Sequence, residues 1–116
     1  MNAQLPPEQM RLTLDKAGDR WDAVRVSTTV GAQVMSLLGE ACGSVVSDGL
    51  HMWFFVEPGE GQALTMPGVT TYLSGSHVLI PAGCVTSLPG PHWARTGPER
   101  STPAAHLLLA VQEYVR

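Results

Sequence analysis

The sequence predicts an α+β fold, a small and mostly antiparallel sheet with helices packed on one face. Three observations lead there. His51-Met52-Trp53-Phe54-Phe55-Val56 is rich in aromatic and β-branched residues and is ended by Glu57-Pro58-Gly59, which makes it the strongest strand candidate in the chain. Two other stretches carry apolar residues at helical spacing: Val30, Val34, Met35, Leu37, Leu38 and Cys42, then Ala104, Leu107, Leu108, Val111 and Val115. Between and after them, Gly, Pro and Ser clusters cut the chain into short, strand-sized pieces.

Taken in order, residues 1–20 are polar, with Pro6-Pro7 and Gly18, and are expected as a loosely ordered arm with a short helical turn around residues 8–14. Residues 21–116 are expected as a single domain. Residues 22–26 alternate apolar with charged and read as the first strand. Ser27-Thr28-Thr29 then offers N-caps for the first helix, and Gly43 offers its C-terminal stop. Residues 44–46 form a short strand, turned by Asp48-Gly49 into the strong strand 51–56. Alternation puts His51, Trp53 and Phe55 on one face of that strand and Met52, Phe54 and Val56 on the other. Both faces are largely apolar, so the strand should be central and covered on both sides. Leu37, Leu38, Leu108 and Val111 are expected to pack on Met52, Phe54 and Val56. After an acidic loop over residues 58–67, strands at 69–73 and 78–80 flank the turn Ser74-Gly75-Ser76, as a second hairpin. Residues 83–103 carry repeated prolines and glycines and read as loop. Thr102-Pro103 caps the last helix. The predicted order is strand, helix, hairpin, hairpin, helix.

Composition bounds the function. Hydrophobic residues make up 44% and charged residues 15%, which fits an ordered domain with one core rather than a disordered chain. The net charge is −3, Lys16 is the lone lysine, and the arginines are scattered. A basic groove for a phosphate backbone is therefore not written here. Cys42 and Cys84 lack CxxC spacing and read as two thiols in a reducing compartment. No apolar run approaches the ~20 residues of a membrane span, and no secretory pattern opens the chain. The expectation is a soluble, cytoplasmic protein without a membrane partner.

The turn and strand Ser47-Asp48-Gly49-Leu50-His51-Met52-Trp53-Phe54 resembles a motif of the bifunctional DNA primase–polymerase N-terminal domain, Ser-Gly-Gly-x-His-x-x-Phe. The following stretch, Met66-Pro67-Gly68-Val69-Thr70-Thr71-Tyr72 through Val78-Leu79-Ile80-Pro81, is similar to that family's next segment. There Pro-Gly-Val-Asp leads through Gly-Gly-Tyr to Val-Ala-Pro-Pro. The resemblance spans roughly residues 21–93 and is carried mainly by 47–81. It implies a histidine that contacts nucleotide phosphates, an Asp-x-Asp/Glu metal pair on the first strand, and a further metal aspartate after the histidine strand. His51 matches that histidine and Ser47 the leading serine, while Thr70 occupies the place of the later aspartate. The first strand offers Asp22 and Arg25, with no second carboxylate two residues after Asp22. Magnesium needs carboxylate oxygens, and threonine with arginine does not replace them. The resemblance thus implies the scaffold without its metal chemistry: no catalytic residue, no metal and no cofactor.

The functional expectation is a non-catalytic binding or regulatory module that recognises a nucleotide, a nucleic-acid end or a protein partner. Its ligand-binding residues are expected to be Arg25, Ser47, His51, Trp53, Thr70 and Tyr72. Arg25 and His51 would hold an anion, with Trp53 and Tyr72 beside it for a flat ring. The alternative is a small metal-dependent enzyme using His51 or His77, by residual nucleotidyl transfer or cupin chemistry. Residues 74–93 resemble the second cupin motif, but no histidine follows Pro81-Ala82-Gly83 within the next four residues, and the first motif's paired histidines are missing. His77 matches a tyrosine position of the primase–polymerase pattern, and neither His92 nor His106 pairs with another histidine at metal spacing. There is no nucleophile elbow, P-loop or dinucleotide turn.

Overall fold

A computed structural model describes residues 12–115. The elements are β1 (Leu12–Lys16), β2 (Asp22–Ser27), α1 (Thr28–Leu38), β3 (Val45–Ser47), β4 (His51–Val56), β5 (Thr70–Tyr72), β6 (His77–Pro81), β7 (His92–Arg95) and α2 (Ala104–Tyr114). Single 3₁₀ turns occupy Gly39–Ala41 and Gly61–Leu64. Five strands form one sheet in the order β5-β2-β4-β3-β7, with every neighbouring pair antiparallel. A separate two-stranded sheet pairs β1 with β6. The class is α+β, and β4 lies at the middle of the large sheet, as its apolar faces require.

The two faces of β4 are covered by different layers. Met52, Phe54 and Val56 join Val24, Val26, Val34, Leu107 and Val111 in the core beneath the helices. Phe55 joins Trp21, Val46, Val78, Ile80 and Trp93 beneath the small sheet. Trp21 meets Phe55 edge-on at 5.1 Å between ring centroids, and the Trp93 indole donates to the Pro81 carbonyl at 3.0 Å. The helix layer approaches closely because α1 presents Gly31 to the sheet: a Cβ there would sit 2.6 Å from Met52 Sδ.

Several local expectations need correction. Residues 12–20 are not part of a loose arm. Leu12–Lys16 is a strand paired along its length with β6, and Ala17 is buried. The expected helical turn therefore does not include Leu12–Leu14, and its earlier residues lie outside those described. The Ser74–Ser76 turn does not make a hairpin: β5 pairs with β2, whereas β6 crosses to β1. Backbone bonds Ser76 N–H to Leu73 O and Ala17 N–H to Ser76 O hold that crossing. Within residues 83–103, His92–Arg95 is a strand on the edge of β3, where preceding prolines cost no ladder bond.

The helix ends also differ. Helix α1 stops at Gly39, not Gly43, because Gly39 takes φ +55° and donates its N–H to Met35 O. Gly43 serves a packing purpose, since a Cβ there would meet the Arg100 carbonyl at 2.6 Å. Thr102 does not cap α2: its hydroxyl accepts from Gly43 N–H at 2.8 Å, and its own N–H donates to Phe55 O at 2.7 Å. Leu38 and Leu108 pack on the core and Val111 lies in it, but Leu37 points outward and is 54% exposed.

Candidate functional site

The small sheet covers only part of the large one. Cross-strand register places the side chains of the uncovered part in rows, because directly paired residues share a face. In one row Ser27 is opposite His51, with Asp48 next to it at the β3–β4 turn. In the next, Arg25 is opposite both Trp53 and Thr70. In the third, Ala23 lies between Phe55 and Tyr72. Arg25, His51, Trp53 and Tyr72 are all half-buried, and Thr70 is exposed. Successive rows are about 7 Å apart, two residues along a strand.

Two adjoining cavities, each of about 290 Å³, open on this face. Arg25, Ser27, His51 and Thr70 line the first, with Gly68 and Val69 at its edge and no carboxylate among the described residues of its wall. Arg25 Nη2 donates to Thr70 Oγ1 at 3.3 Å, which holds the guanidinium over the cavity. Ser27 faces the same space but also caps α1, accepting from Val30 N–H at 3.2 Å. The second cavity is a mostly apolar groove beneath β6, bounded by Trp53, Tyr72, Val78, Leu79, Leu14 and Pro91, with His77 and Asp48 at its polar margin. His51 and Trp53 join the two: their rings meet edge-on with centroids 6.2 Å apart.

Asp48 is fixed by its turn. Its Oδ1 accepts the amides of Leu50 at 2.9 Å and His51 at 2.8 Å. Burial by itself would raise the carboxyl, but those two amides and the nearby His51 together outweigh it and hold the group below its ordinary value. The site therefore has the Arg25 guanidinium and the His51 ring at one end, and one ionised carboxylate at the margin of its apolar groove.

Not every expected residue belongs here. Ser47 pairs with Met52 and so faces the helix layer; it is buried, and its hydroxyl accepts from Gly49 N–H at 3.1 Å. It shapes the turn that presents Asp48 and His51. Asp22, the one carboxylate of β2, lies three residues from Arg25 and so faces the other side of the strand. It is 2% exposed and its Oδ2 accepts from Gly59 N–H at 2.9 Å and Gly61 N–H at 3.0 Å. That carboxylate anchors the loop that carries Leu64 into the core. Among the described residues no three His, Cys, Asp or Glu side chains group so as to hold a metal ion. No described helix is long and apolar enough to cross a membrane.

Sequence reasoning overlooked Asp48 as a site residue and also the groove's roof from β6. The signal for Asp48 was available: the residue that follows β3 and lies opposite His51 across the turn must share its face. A second cation–aromatic cluster lies further along the same side, where the Arg100 guanidinium stacks 4.7 Å from the Trp93 ring centroid and 5.6 Å from that of Phe55. It closes the end of the aromatic core. Comparisons of the chain with protein-family models, with curated proteins and with solved structures find no match.

Proposed function

We propose that this protein is a non-catalytic binding module that holds a nucleotide on the uncovered face of its large sheet. The phosphate occupies the cavity of Arg25, His51 and Thr70, and the base lies in the groove beside Trp53 and Tyr72. The observation that carries this reading is the juxtaposition itself. An arginine whose only side-chain partner among the described residues is a threonine hydroxyl shares a row with Trp53, a wall of the adjoining aromatic groove. Arginine recognises phosphate by charge-assisted, geometrically matched hydrogen bonds, and aromatic rings stack on any base. The resemblance to the primase–polymerase domain enters as a proposed kinship of scaffold, since it puts phosphate contact on His51. The commitment of Asp22 to loop amides on the opposite face supports a binding role over metal-dependent transfer.

The test is titration of the tryptophan fluorescence, and of heat, with nucleoside monophosphates at low and high salt. Trp53 lies in the groove, so quenching on binding is expected, with affinity that falls as salt screens the phosphate contact. Arg25→Ala and His51→Ala should each weaken binding. Binding indifferent to Arg25→Ala and His51→Ala would place the functional surface elsewhere.

A further inference from the structure

The groove that receives the base in the reading above has one charged wall, and its chemistry selects among bases. We infer that Asp48 makes the site prefer guanine. This inference rests on the nucleotide-binding reading and goes beyond it.

Both Leu50 N–H and His51 N–H end on Asp48 Oδ1, so the carboxylate is held in one orientation without a flexible stem. It lies at the groove margin together with Trp53 and Tyr72, and it is the lone carboxylate among the described groove-lining residues. An ionised carboxylate accepts hydrogen bonds and donates none. Whatever ring edge meets it must therefore present donors. Guanine presents two adjacent ones, N1–H and the 2-amino group, which can converge on Oδ2, the oxygen that the Leu50 and His51 amides leave open. Adenine places the N1 lone pair beside its single amino group and would set an acceptor against an anion. Hypoxanthine keeps N1–H but lacks the second donor. Uracil offers one N–H between two carbonyls, cytosine an amino group beside the N3 lone pair, and both have less surface to stack. The cavity volume of about 290 Å³ lies near the lower end of small-molecule sites, roughly 300–1,000 Å³, and suits a base rather than a larger group. The phosphate end contributes nothing to the choice, because it meets every nucleotide alike.

The experiment compares GMP, IMP and AMP by calorimetry on the intact chain, on Asp48→Asn and on Arg25→Ala. Asparagine keeps an oxygen for the turn amides, and the turn's positive φ lies on Gly49 rather than on residue 48, so the hairpin is retained. GMP should bind about ten-fold more tightly than AMP, the effect of a hydrogen bond to a charged acceptor, with IMP between. Asp48→Asn should remove most of that difference, and Arg25→Ala should weaken all three nucleotides in parallel. Should Asp48→Asn fail to fold, the GMP–IMP comparison on the unaltered chain still reads the 2-amino contact. Equal affinity for GMP and AMP, or a guanine preference that survives Asp48→Asn, overturns the role of Asp48 while leaving nucleotide binding in place. Absence of binding by all three overturns both.

Discussion

Replacing Asp22 by alanine separates a loop anchor from a metal ligand. The carboxylate accepts two backbone amides through Oδ2, from Gly59 and Gly61, and is itself 2% exposed. Alanine removes both acceptors. Gly61 N–H is then left in a buried position, where an unsatisfied donor costs about 1–3 kcal/mol. Gly59 N–H is only partly buried, so water recovers some of its bond. The loop has a second hold on the core in Leu64, which is fully buried, and this limits how far it detaches. The loss expected from these pieces is about 2–4 kcal/mol. In urea, with a slope of roughly 1–3 kcal/mol/M for a small domain, that moves the unfolding midpoint down by on the order of 1–2 M. Asp22→Asn keeps one acceptor oxygen and should lose less. The same variants should bind nucleotide as the unaltered chain does, because Asp22 faces away from Arg25 and His51. A loss below about 1 kcal/mol for Asp22→Ala would refute the anchoring argument. So would a magnesium-dependent stabilisation of the native chain that Asp22→Asn abolishes.

Other expectations follow from the same structure. Phe54 is fully buried under the helices, so Phe54→Ala should destabilise by about 3–5 kcal/mol in chemical denaturation; a loss under ~1 kcal/mol would mean β4 is not central. Gly31→Leu should be poorly tolerated, with a clearly lowered melting temperature, because even a Cβ there meets Met52 Sδ at 2.6 Å; an unchanged melting temperature would contradict the close helix approach. The Asp48 carboxyl is held below its ordinary value in the folded chain, so its contribution is complete above the unfolded value of about 3.9 and is lost as pH falls through the lower folded value. The stability gap between the native chain and Asp48→Asn should therefore be constant near neutrality and shrink below about pH 4; a gap that widens in acid would refute the assignment.

What the sequence disclosed was local. The alternation in 51–56 made β4 central and two-faced, and the structure bears this out: helices cover Met52, Phe54 and Val56, and a second sheet covers Phe55. The Asp48-Gly49 hairpin and both amphipathic helices were likewise written in turn chemistry and periodicity. The long-range pairings were not. The Ser74-Gly75-Ser76 turn is compatible with a hairpin, but β6 gains more by laying Val78 and Ile80 over the aromatic layer than by pairing with three-residue β5. That same choice drew β1 out of the expected arm. Proline density hid β7, since the rule against proline applies to ladder positions and not to the residues that precede an edge strand.

The candidate site depends on those long-range pairings more than on any motif. Arg25, Thr70 and Trp53 come from three strands and meet only because β2 pairs with β4 and β5 in this register. A slip of one residue would send Arg25 into the helix core and bring Val24 or Val26 to the surface, a cost that the buried face forbids. The apolar pattern of β2 therefore secures its polar residue: Val24 and Val26 are buried so completely that Arg25 has one place to point. The groove roof is fixed in the same way, since Val78 and Ile80 must face the aromatic layer and so hold β6 above Trp53 and Tyr72. Core packing thus specifies the site's geometry although no core side chain supplies its charge. It follows that variants of Arg25, His51 and Asp48 should leave the fold in place, whereas variants of Val24 or Val78 should lose the fold and the site's geometry together.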